Sequence, residues 1–147
     1  MNRRGSVAVE AALALGLVLV PLLLALADLG LALSVQMRLE RANQAALFYA
    51  WGNSGASVAA IKSAASAGYG VSDPSFAATA SEACYCITQT GTRSSGTAVA
   101  CTGSCASGQQ VATWLTVQSS TSVALPVPLP GYGSSLSLSS GSTARVQ

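Results

Sequence analysis

The chain of 147 residues contains no histidine, and only 8% of its residues are charged. Without an imidazole, a Ser-His-Asp triad, a histidine-bound metal and a histidine pH switch are all excluded. Most enzyme templates therefore lack their parts, and the sequence predicts a non-enzymatic protein without a cofactor. The net charge of +2 comes from scattered arginines and a single lysine. No Lys/Arg run could neutralise several successive phosphates, so nucleic acid is not an expected partner.

What the chain does have is a concentrated apolar stretch. Ala11 to Ala27 is seventeen residues without a charged or strongly polar side chain. As a helix this stretch is roughly 26 Å long, a little short of a hydrocarbon core of about 30 Å. Leu29 to Val35 is again almost wholly apolar, so the helix spans a membrane if Asp28 is tolerated at or near it. Arg3 and Arg4 precede the apolar run, and short basic ends stay in the cytoplasm. Everything after the helix should then be exported. Cys84, Cys86, Cys101 and Cys105 lie in that exported part, where thiols oxidise. Four thiolates could also suit tetrahedral zinc, but export favours disulfides, with no metal bound. No histidine is present to activate a catalytic thiol.

Beyond the apolar run, Val35, Leu39, Ala42, Ala46 and Tyr49 recur at helical spacing. Gln36, Arg38, Glu40, Arg41, Asn43 and Gln44 fall off that line. The helix should continue to about Trp51 and break at Gly52-Asn53-Ser54-Gly55. A second helix is expected over Ser57 to Ala67, ending near Gly68. Short strands are predicted near Cys84–Thr88, Thr97–Cys101, Thr113–Ala124, Leu136–Leu138 and Thr143–Val146. Pro126, Pro128 and Pro130 remove three backbone donors, which suits an extended edge or a crossing loop and not a central strand. The expected class is α+β: a long N-terminal transmembrane helix (6–35), an amphipathic helical segment (36–68), and a small antiparallel, disulfide-stapled β domain (69–147). If the chain turns back between about Thr90 and Thr97, residue 86 lies opposite 101. The expected pairs are then Cys86–Cys101 and Cys84–Cys105.

The most telling residues open the chain: Arg3-Arg4-Gly5-Ser6-Val7-Ala8-Val9-Glu10. A carboxylate at the head of an otherwise uncharged apolar helix is costly unless a cation pairs with it. The pattern of Gly5 followed by Glu10 resembles type IV prepilins. By that resemblance a prepilin peptidase cuts after Gly5, removes the leader 1–5 and frees the Ser6 amine, and Glu10 pairs with that amine on a neighbouring subunit. Asp28-Leu29-Gly30, Gln36 to Ala42 and Tyr49-Ala50 narrow the likeness. Over about residues 3 to 50 the chain is similar to the TadE family, pseudopilins or minor pilins of the tight adherence (Tad, or Flp) pilus. Members commonly carry an aromatic residue after the glutamate, where this chain has Ala11. The resemblance implies a place in the bacterial inner membrane and incorporation in an extracellular pilus that supports surface adhesion. The partners it implies are the prepilin peptidase, other pilin and pseudopilin subunits, the assembly platform and membrane lipid.

Rival readings attach to the same residues. Ala25-Leu26-Ala27 could be a signal-peptide cleavage site that releases a binding module beginning at Asp28, or the helix could be an uncleaved anchor. Glu10 and Asp28 are eighteen residues, or five turns, apart, so a straight helix places both carboxylates on one face as a subunit contact. The competing expectation puts Asp28 at the outer headgroup level, with Pro21 bending the helix.

Overall fold

The computed structural model describes residues 3–53, 55–93, 96–129 and 133–146, with side chains described except at 3–8, 11 and 127–129. Element order is α1 (Arg3–Gly52), α2 (Val58–Tyr69), β1 (Ala77–Thr88), β2 (Gln109–Leu129) and β3 (Gly133–Arg145). The strands form one antiparallel sheet in the order β1-β2-β3. The fold is therefore α+β, and two disulfides staple its C-terminal region.

The chain divides into two compact units, Met1–Val35 with Val123–Leu136, and Gln36–Ser122 with Ser137–Gln147. In the first unit α1 is unbroken at Pro21. Leu, Ala and Val dominate its sequence, so the helix is surrounded by apolar side chains that water does not favour. Leu13, Leu17, Val18 and Leu23 are each at least 60% exposed. Among the described residues this is the one helix long and apolar enough to cross a membrane. Such exposure fits a lipid-facing anchor.

The second unit has a conventional interior. Ala46, Leu47, Ala50, Ile61, Ala65, Leu115 and Val117 form one buried cluster, and Leu39, Ala42 and Tyr69 form another. Phe76 packs against both and stacks on Tyr69 at a ring separation of 4.4 Å. The buried face of α1 thus runs through Leu39, Ala42, Ala46, Leu47 and Ala50. Tyr49, expected on that face, is 39% exposed, while Asn43, expected off it, is fully buried. The packed face is centred between positions 46, 47 and 50, a small rotation from the expected line.

α2 starts where Ser57 caps it by accepting from the Ala60 N–H at 3.2 Å. It ends on Gly70, whose φ of 76° is the left-handed conformation that glycine adopts without strain. Near its end Gly68 meets α1. A Cβ at that position would lie 2.5 Å from the Ala45 Cβ and 3.2 Å from both the Ala42 Cα and the Arg41 carbonyl oxygen. Only glycine permits this approach of the two helices.

The sheet departs from the expected strands in length and number. β1 begins at Ala77, seven residues before the expected Cys84, because Ala77 to Thr88 pairs with Gln109 to Ser120 of β2. The two predicted strands at 136–138 and 143–146 are one element, because β3 runs beside β2 through the intervening Ser139-Ser140-Gly141-Ser142 without a break. Thr97–Cys101 is not a strand; Val99 makes only an isolated bridge to Cys84. Pro126 and Pro128 lie in β2, the central strand, but beyond Ser120, where pairing with β1 has ended. Pro130 lies outside the described residues.

Candidate functional site

Glu10 lies in α1 and is exposed on the helix surface. Gly5 and Ser6 belong to the first turns of the same helix, and their side-chain surroundings lie outside the described residues. Eighteen residues separate Glu10 from Asp28, about 27 Å along a helix axis, so the two carboxylates do not form one site. Their surroundings also differ. Asp28 is only 3% exposed, and both its carboxylate oxygens are buried without a hydrogen-bond partner. It lines a cavity of about 290 Å³ together with Ala25, Leu29, Ala32, Leu125 and Leu136. The first four wall residues follow helical i, i+3, i+4, i+7 spacing, so one face of α1 makes one wall. Leu125 and Leu136, from β2 and β3, supply the rest. The burial of Asp28 was not legible in the sequence, because its cover is almost a hundred residues further along the chain.

The cysteines pair as Cys84–Cys101 and Cys86–Cys105, with Cα separations of 5.1 and 5.7 Å. The expected partners were exchanged, because the turn comes earlier than assumed. Gly91, at a φ of 80°, turns the chain between Thr88 and Thr92, whose backbone groups bond at 2.9 Å. Ile87 then faces Arg93, and Cys84 faces Val99. This register places Cys101 diagonally across from Cys84 and carries Cys105 on to Cys86. Among the described residues no group of three or more His, Cys, Asp or Glu could hold a metal ion.

Two further clusters position this domain and were missed in the sequence. The Arg93 guanidinium lies between two rings, 4.3 Å from the Tyr85 centroid and 4.1 Å from the Trp114 centroid. The cation attracts the negative face of each ring and clamps the disulfide-bearing excursion onto the sheet. At the other end, Asp73 joins the loop after α2 to β2. Its Oδ1 accepts from the Ser75 N–H at 2.8 Å and the Ser75 hydroxyl at 2.7 Å. Its Oδ2 accepts from the hydroxyls of Thr121 at 2.7 Å and Tyr69 at 3.2 Å.

Donors that favour the charged carboxylate, Thr121 first and Ser75 next, lower the Asp73 pKa from 3.8 to about 2. The folded state therefore binds this proton less readily than the unfolded chain. Its stabilising effect is complete above about pH 4 and is lost as pH falls through about 2. Urea titrations of the wild type across that window should show a falling midpoint. Asp73→Asn should have a lower midpoint at neutral pH and a shallower acid limb; an unchanged limb would remove Asp73 from the acid response.

No curated protein and no solved structure matches the chain. One family model does, and it covers the part of α1 that holds Gly5, Ser6, Glu10, Asp28 and the start of the buried stripe. Residues 5–47 match the family described as TadE-like protein, so the N-terminal third of the chain is similar to that family.

Proposed function

We propose that this protein is a minor pilin or pseudopilin that takes part in assembling a tight adherence (Flp-type) pilus and so supports surface adhesion. The observation that carries this reading is the TadE-like match over residues 5–47, which ties the chain to the Tad pilus in general. The exposed apolar surface of α1 supports a membrane anchor, and Arg3 and Arg4 support a cytoplasmic N-terminus with residues 69–147 in the periplasm. In this reading residues 1–5 are a leader, 6–35 the membrane and assembly helix, and 36–68 the amphipathic helical segment. A prepilin peptidase cuts between Gly5 and Ser6, and the new Ser6 ammonium pairs with Glu10 of a neighbouring pilin subunit. Asp28 is a second contact on the same helix. The role is assembly and interaction, without turnover.

Mass spectrometry of the protein extracted from membranes tests the reading. Ser6 should be the first residue, leaving 142 of the 147 residues once the five of the leader are removed. An N-terminal Asp28 would instead indicate release by a signal peptidase, and an intact Met1 a simple anchor. Glu10→Ala should keep its membrane level while pilus formation falls, and normal pili in that variant would remove the pairing role.

A further inference from the structure

Among the described residues, the side chains that line the Asp28 cavity include an acceptor and no donor. Asp28 is 3% exposed, neither carboxylate oxygen has a hydrogen-bond partner, and the other five described wall residues are Ala and Leu. An ionised carboxylate in such surroundings is unfavourable until a cation meets it, all the more at the depth of a membrane helix. The chain does not provide that cation from its own helix, because no Lys or Arg occurs between Arg4 and Arg38.

We propose that this cavity receives one lysine side chain from the apolar helix of a different membrane subunit, with the lysine ammonium pairing with Asp28. The cavity volume of about 290 Å³ accommodates a four-carbon stem against Ala25, Leu29, Ala32, Leu125 and Leu136. Long cationic side chains pack their stems on apolar surface in this way. Arginine fits less well. Its guanidinium carries five donors in a fixed fork, and among the described residues of the wall a single carboxylate is the one polar side chain. The proposal rests on the membrane-anchored reading above, but it does not require cleavage after Gly5 or pairing at Glu10.

The test uses the full protein, purified from membranes and reconstituted in phosphatidylcholine vesicles. The probe is a synthetic Leu/Ala transmembrane helix with one lysine two turns inside one end of its apolar stretch, compared with the same helix carrying glutamine. Energy transfer between labelled protein and labelled peptide reads association. The lysine helix should bind about tenfold more tightly than the glutamine helix, the scale of one favourable polar contact between membrane helices. Asp28→Asn, which keeps the shape of the side chain, should abolish that preference, and Glu10→Ala should preserve it. Equal binding of the two helices would overturn the proposal, as would a preference that survives Asp28→Asn. So would self-association of the protein that depends on Asp28, because it would assign the cavity to the terminal amine of a second copy. Failure of the pilus reading shows separately, as a mature N-terminus other than Ser6 alongside an intact lysine preference.

Discussion

Removing either disulfide should destabilise the C-terminal region by about 3 kcal/mol, the scale expected for closing loops of this size. The bridges span 17 and 19 residues and tie the excursion between β1 and β2 to β1. Its ladder contacts to β1 are two isolated bridges, Cys84 with Val99 and Ile87 with Arg93. Arg93 adds its stacking on Tyr85 and Trp114. Cys84 and Cys86 are 1% and 8% exposed, so replacing them with serine would add a desolvated hydroxyl, and alanine is the better substitute. The paired variants Cys84→Ala with Cys101→Ala, and Cys86→Ala with Cys105→Ala, should each lower the urea midpoint. Losing both pairs should release the excursion, with a specific sign: trypsin would cut after Arg93, which the two rings otherwise hold. Resistance at Arg93 after full reduction would show that the aromatic clamp suffices alone.

Gly68→Val should be the most disruptive single substitution where α1 and α2 cross. Even the first carbon of the new side chain would stand 2.5 Å from the Ala45 Cβ, and its other neighbours are the backbone atoms Ala42 Cα and Arg41 O. None of these is the far end of a flexible chain, so the helices themselves have to separate. Overpacking of this kind costs about 1–3 kcal/mol and sometimes more. Separation would also loosen the buried cluster that joins Ala42 and Tyr69, next to Leu39. Gly68→Ala should be milder than valine but still destabilising, although alanine favours a helix by about 1 kcal/mol over glycine. Thermal melting of the three proteins orders them, and a Gly68→Ala protein as stable as wild type would show that α2 can shift. Ala45→Gly in the Gly68→Ala background should recover part of the loss.

Much of this architecture is legible in residue patterns because the signals are local. Seventeen apolar residues define the helix and the Gly52 cluster ends it, whereas α2 runs past the expected stop at Gly68 and ends at Gly70. The illegible parts are those decided by a distant partner. Ala77 to Glu82 carries little β preference, yet it is a strand because β2 offers it a ladder. The disulfide partners depended on where one turn falls, and a pivot at Thr90-Gly91 instead of a few residues later exchanged them. At the candidate site, Gly5 and Glu10 stand out in the sequence through their spacing between the basic residues and the apolar helix, whereas the burial of Asp28 comes from Leu125 and Leu136. Asn43 reads as a solvent-facing residue, but it is fully buried and its amide has no hydrogen-bond partner.

The two prolines near the end of β2 bear on the company the sheet keeps. The Val146 N–H donates to the Thr113 carbonyl and the Val99 N–H to the Cys84 carbonyl. By strand alternation, even-numbered residues of β2 then direct their backbone groups to the side where β1 pairs. β1 stops opposite Ser120, so among the described residues no strand pairs with that side of β2 at Pro126 and Pro128. Both are even-numbered, so the missing donors fall on that side, while the groups that serve β3 are kept. A stray strand that approached this margin would meet gaps where it needed N–H groups. The prolines thus allow a long central strand to outrun its neighbour without offering a template for unwanted sheet growth.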